Sequence, residues 1–170
     1  MLIVADTSPI NYLILLNHDA LLPRFYEQMV IPPAVHGELQ HPQTPPVVRA
    51  WVAHPPSWFE VRQPQQRLEA TQFPLLGAGE REAIALAQEL QVPLLLMDDP
   101  EGREEATRRA LRTTGTLGVL EQAAIEGLLD LPSVLTQLLT TTSFRARAEL
   151  IQDLLARDVA RKSSPPTDGR

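Results

Sequence analysis

Five acids in this 170-residue chain are placed to act together: Asp6, Glu38, Glu80, Asp98 and Asp99. Asp6 ends the apolar run Leu2-Ile3-Val4-Ala5, and Asp98-Asp99 end Leu94-Leu95-Leu96-Met97. Short apolar runs stopped this abruptly read as strands buried on both faces of a parallel sheet. In such sheets ligands gather beyond the carboxyl ends of the strands, where these acids stand. Glu38 borders a stripe made by Val35 and Leu39, and Glu80 heads the stripe Ala83, Ile84 and Ala87 at i, i+3, i+4 and i+7. Two carboxylates ~4 Å apart repel by about 4 kcal/mol at an effective dielectric of 20. Three or four in one crevice must therefore share protons or cations. An all-oxygen set, with no cysteine in the chain and no paired histidines, favours Mg²⁺ or Mn²⁺ over zinc. Such ions activate water and stabilise charge on a phosphodiester during in-line attack.

Each acid also has an ordinary structural role open to it. Asp6 or Ser8 is equally suited to cap the helix that follows. Glu80 suits a helix's first turn, a placement worth about 0.3–1 kcal/mol. Asp99, extended before Pro100, is a natural cap, whereas Glu82 and Glu89 fall on the wet side of their helix. Arg103, Arg108, Arg109 and Arg112 form the best local basic patch. Arg103 is placed to reach phosphate, or to pair at i,i+4 with acids on a solvated helix. His18, His36, His41 and His54 lack ligand spacing, and Trp51 and Trp58 read as packing residues.

The elements that position these groups follow from periodicity. Apolar faces predict helices from Pro9 to about Asn17, Ala20–Gln28, Ala34–Gln40, Val47–Ala53, Glu80–Gln91, Glu101–Leu111, a helix after Gly115-Thr116, Leu131–Leu139 and Ala146–Ala160. Strands are expected at the start, at Met29–Ile31, at Trp58–Val61 on an edge, at Leu94–Met97 and at Thr113-Thr114, with Gln63–Phe73 as loop or short helix. The alternation indicates a three-layer α/β sheet in a single domain, residues 1–160, followed by a disordered tail, 161–170. Twenty-one acids against 15 Lys and Arg give a net charge of −6, which argues against diffuse coating of nucleic acid. Contact with it must be local or mediated by metal. The sequence shows neither a signal-like N-terminus nor an apolar run near the ~20 residues of a membrane span, so a soluble cytoplasmic protein without membrane contact is expected.

Five motifs then align with one family. Asp6-Thr7-Ser8, Ile31-Pro32-Pro33-Ala34-Val35 leading to Glu38-Leu39, Leu76-Gly77-Ala78-Gly79-Glu80 with Glu82 to Ala87, Asp98-Asp99, and Gly115 to Leu120 together resemble a PIN domain. The likeness is to the prokaryotic branch related to VapC-type toxins, over roughly Leu2–Ala160. The resemblance implies a Rossmann-like fold with about five parallel strands flanked by helices, and an acidic pocket holding Mg²⁺ or Mn²⁺. It further implies endoribonuclease activity, RNA as substrate, a protein antitoxin and self-association as a homodimer. Asp6, Glu38, Glu80 and an acid of the Asp98-Asp99 pair carry over as metal ligands, direct or through water, with Ser8 as the hydroxyl beside the first acid. The family's hydroxyl-x-Asp pattern, laid on Met97-Asp98-Asp99, makes Asp99 the direct ligand and Asp98 a more remote one. Two departures stand out: Glu80 replaces the usual Asp, and Met97 replaces the hydroxyl. An aspartyl-nucleophile phosphohydrolase would need a second acid where Ser8 stands. A receiver domain would need a phosphoacceptor Asp after a middle strand and a lysine later, but the one lysine is Lys162, in the expected tail. The remaining alternative is a PIN-like scaffold that binds RNA or protein with little or no catalysis.

Overall fold

The first strand organises the sheet. Leu2–Ala5 (β1) is too short and too apolar to stand at an edge, and it lies in the centre, paired in parallel with Gln28–Ile31 (β2) on one side and Leu95–Leu96 (β4) on the other. Phe59–Val61 (β3) and Thr113–Thr114 (β5) complete an all-parallel sheet of order β3-β2-β1-β4-β5, with β3 at an edge as expected. The order reverses between β1 and β4, which opens a crevice beyond their carboxyl ends. Asp6 follows the first of these strands and Asp98-Asp99 the second. The computed structural model describes residues 1–163, in two compact units, Met1–Thr116 and the residues from Leu117 onward.

The first unit holds the sheet and its helices: Thr7–Leu15 (α1), Leu21–Phe25 (α2), Pro33–Leu39 (α3), Pro46–Ala53 (α4), Ala78–Glu89 (α5) and Pro100–Arg108 (α6). Pro33, Pro46 and Pro100 each sit at a first helical position, where a missing N–H costs nothing. Val4, Val30, Leu95 and Met97 pack with Ala83, Ile84 and Ala87 of α5 and Ala106 of α6. Ile3, Ala5, Met29 and Ile31 alternate with them along the strands and are equally buried, the two-sided burial that the short apolar runs imply. Residues 63–73 form neither helix nor strand. The second unit contains most of Thr116–Ile125 (α7), with Leu131–Thr141 (α8) packed on Ala148–Ser163 (α9). Among the described residues no helix is long and apolar enough to cross a membrane.

Several boundaries differ from the sequence expectation, two of them for reasons the contacts show. The α2 helix stops at Phe25, not Gln28, because Tyr26 is already extended and Gln28 is committed to the sheet opposite Leu2. The α9 helix runs to Ser163, since Arg161 and Lys162 both reach back to Asp158. The rest of the expected tail lies outside the described residues. Glu82 and Glu89 are not merely solvated: Glu82 Oε2 accepts from the Ala34 N–H (2.9 Å) and Glu89 Oε2 from the Gln65 N–H (2.7 Å). Glu82 thereby ties α5 to the first turn of α3, the helix that carries Glu38.

Candidate active site

Strand alternation decides where the acids point. Val4 faces α5, so Asp6, two residues on in extended backbone, is carried toward the same helix. Asp6 occupies the residue before α1 but makes no capping hydrogen bond to it. Asp6 is 2 % exposed, and among the described residues its Oδ1 has no hydrogen-bond partner. Burial pushes its pKa well above the ordinary value, Glu80, Glu38 and Asp98 push it further, and only the Thr7 N–H opposes them. Capping alone leaves such a group unexplained.

Gly79, in the first turn of α5, brings two of the acids together. A β-carbon there would lie 2.7 Å from Glu38 Oε1 and 3.1 Å from Asp6 Oδ1, so any side chain would displace both. The Gly79 N–H donates to Glu38 Oε1 (3.1 Å), and the Thr7 hydroxyl donates to Glu38 Oε2. Glu80 folds over the start of its own helix. Its pKa is raised by burial and then by Asp99 and Glu38, while the N–H groups of Glu80 and Gly77 pull it down.

The Asp98-Asp99 pair divides as adjacent residues leaving a strand must. Met97 packs in the α5 cluster, and Asp99 follows it toward Glu80; both acids approach Gly102, whose absent β-carbon would lie 3.4 Å from Asp99 Oδ1 and from Glu80 Cγ. Asp99 also caps α6, accepting from the Gly102 N–H at 2.8 Å. Asp98 turns to the last strand's end, where Thr116 donates its N–H to Oδ1 (2.7 Å) and its hydroxyl to Oδ2 (2.6 Å). Burial raises the Asp98 pKa, and those two bonds and Arg103 lower it. Thr116 thus gives this strand end a hydroxyl that Met97 cannot.

Arg103 reaches back over the strand end and donates to the Met97 carbonyl (3.0 Å) beside Asp98. Arg108 and Arg109 pair instead with Glu104 and Glu105, and Arg109 also lies over the Phe73 ring. Ser8 lines an open groove beside Glu38 with Asn11, His41, Gln43 and Thr44. Sequence reasoning passed over Thr7, Gly79 and Thr116. All three lie within the five motifs; Thr7 and Gly79 stand next to acids in the sequence, which is the available signal, whereas Thr116 has no acid beside it.

The structure therefore brings Asp6, Glu38, Glu80, Asp98 and Asp99 to one crevice. Among the described residues no three His, Asp or Glu side chains are drawn close enough to form a ready metal cage. No curated protein matches the chain. A family model described as a PIN domain matches residues 2–159. With nearly its whole length matched and its acids collected at the carboxyl ends of β1 and β4, the chain belongs to the PIN-domain family, whose members are generally nucleases.

Proposed function

We propose that the protein is a metal-dependent endoribonuclease that hydrolyses RNA phosphodiester bonds with Mg²⁺ or Mn²⁺ in the cytoplasm, as the toxin of a toxin–antitoxin pair. The observation that carries this reading is the buried, unpartnered Oδ1 of Asp6 with Glu80, Glu38 and Asp98 around it. A carboxylate so placed either keeps a proton or takes a cation. The donor set is all oxygen and fits a hard divalent ion. Asp6, Glu80 and Asp99 would hold it, with Glu38 and Asp98 acting directly or through water. When bound, such an ion supplies an activated water and offsets charge on the phosphate.

The chain's own contribution is to hold the oxygens in place. Thr7 and Gly79 fix both oxygens of Glu38, and Thr116 occupies both oxygens of Asp98. Asp99 commits Oδ1 to Gly102, and among the described residues no hydrogen bond to its Oδ2 is seen. That asymmetry supports Asp99 as the direct ligand. Arg103, which donates to the Met97 carbonyl beside Asp98, would meet a phosphate at the same strand end. The antitoxin and homodimer readings rest on the family likeness and on the exposed Ile125, Leu128, Leu150 and Val159.

Single-stranded RNA incubated with the purified chain and Mg²⁺, Mn²⁺ or EDTA tests the proposal. Cleavage should require the ion and fall about a thousandfold in Asp6→Asn, which keeps shape but removes several kcal/mol of charge stabilisation. RNA binding without cleavage at any metal concentration would favour the scaffold instead. A monomer in light scattering and no partner on pull-down would remove the dimer and antitoxin readings.

A further inference from the structure

Resting on the RNA reading above, we propose that the groove beside Glu38 is a base-reading pocket for the nucleotide next to the scissile phosphate, with Asn11 and Gln43 as its specificity residues and adenine as its preferred base. The open groove has a volume of about 350 Å³, within the range of small-ligand pockets. One wall is α1. Because this helix begins immediately after Asp6, Thr7 and Asn11 at i,i+4 and Ser8 and Asn11 at i,i+3 share a face that leads away from the acids.

The opposite wall is the turn after α3. The Glu38 carbonyl accepts from the His41 N–H (3.1 Å) and the Thr44 hydroxyl (2.8 Å), the His41 carbonyl from the Thr44 N–H (2.9 Å), and the Thr44 carbonyl from Arg49 Nε (3.1 Å). The turn is therefore built before any ligand arrives, and its anchor is the residue that also carries one of the clustered carboxylates. A ligand seated there touches the acidic centre. His41 Nδ1 accepts the Gln43 N–H (3.2 Å), which puts the ring proton on Nε2 and makes that edge a donor.

The chemistry of the lining selects the ligand. Among the described residues no Arg or Lys lines the groove, so they do not supply what a phosphate subsite needs. Asn11 and Gln43 each offer a carboxamide donor beside an acceptor, the pair that matches adenine N7 and N6, whereas guanine is met by Arg or Lys. Single-stranded RNA presents these edges because its bases are unstacked and can be splayed out. A good bidentate contact discriminates by roughly 5- to 150-fold.

Two measurements on the full chain test this. In NMR titrations with adenosine, guanosine, cytidine and uridine, without added metal, adenosine should bind most tightly and shift the side-chain amide resonances of Asn11 and Gln43. In cleavage of RNA series differing at the flanking base, kcat/KM should favour adenine by at least about fivefold, and Asn11→Ala or Gln43→Ala should erase that ratio. Gln43→Glu, which loses the donor but keeps the size, should move the preference toward cytosine, whose amino group donates. Equal affinity for the four nucleosides, binding that leaves both amides unmoved, or an unchanged base ratio in the variants would overturn the pocket. Cleavage without base preference refutes the pocket and keeps the nuclease. Selective adenosine binding without cleavage refutes the nuclease and keeps the pocket.

Discussion

Asp6 and Asp158 are both buried carboxylates, 2 % and 3 % exposed, and the chain treats them in opposite ways. Asp158, on α9, is clamped: Arg161 pairs with Oδ1, and the Lys162 ammonium lies 2.7 Å from Oδ2. These partners hold its pKa below the usual carboxylate range, Lys162 foremost. Asp6 feels burial and three other acids, and its pKa goes up. One oxygen of each stands outside hydrogen-bond geometry; an adjacent ammonium neutralises it in Asp158, and no such cation is recorded at Asp6 among the described residues. The fold can build a neutralised buried acid from its own residues. An acid left without one either keeps its proton or takes a cation.

The contrast is most sharply tested by adding the cation. Mg²⁺ or Mn²⁺ at about a hundred times its dissociation constant should stabilise the folded state by about 2.7 kcal/mol, raising Tm by roughly 5–11 °C at this chain length. In Asp6→Asn that rise should vanish, and identical melting of the wild-type chain with and without metal would end the metal reading. Next in size is the split between neighbours: Asp99→Asn should lose more metal affinity in titration calorimetry than Asp98→Asn. The reverse order would put the ligand one residue earlier.

Melting against pH in EDTA separates the two buried acids by sign. For Asp6 the folded pKa is raised, so its charged form destabilises increasingly as pH climbs from about 4 through that raised value. Asp6→Asn should then melt a few degrees above wild type near neutrality and level with it in acid. For Asp158 the folded pKa is lowered, so its contribution is present above about pH 4 and lost as pH falls through the folded value. Asp158→Asn should melt below wild type at neutrality, with the gap closing in acid. The smallest effect belongs to Glu82. Glu82→Gln keeps an acceptor for the Ala34 N–H and should change little, whereas Glu82→Ala should cost about 1 kcal/mol, as loss of a helix cap does.

The sheet and the identity of the acids were legible in the sequence because both depend on local pattern. A short apolar run that stops at an acid fixes strand, burial and crevice together, as at Ala5-Asp6 and Met97-Asp98. What could not be read was contact between distant segments. Glu82 falls on the outer side of its helix by periodicity, yet it meets the Ala34 N–H because α3 packs there. Thr116 stands eighteen residues beyond Asp98 and supplies its hydroxyl only once β5 lies beside β4. Gly79 reads as part of a turn, and only the approach of Glu38 and Asp6 shows why a methyl group would not fit. The groove was equally hidden, since Asn11 and Gln43 lie on elements that meet in space and not in sequence.

The clamp on Asp158 has a consequence for the protein's covalent chemistry. Lys162 is the only lysine in the chain, and it is bound to Asp158 and Asp130 at once. Besides the α-amino group of Met1, which is paired with Glu27, an amine reagent, from an acetyl donor to a fluorescent ester, therefore meets one amine, that of Lys162. Acylation there would strip the positive charge from one oxygen of a buried carboxylate and leave Arg161 to neutralise it alone. A label at Lys162 intended as a silent reporter would loosen the end of α9, because it removes that ammonium from Asp158 and Asp130 together.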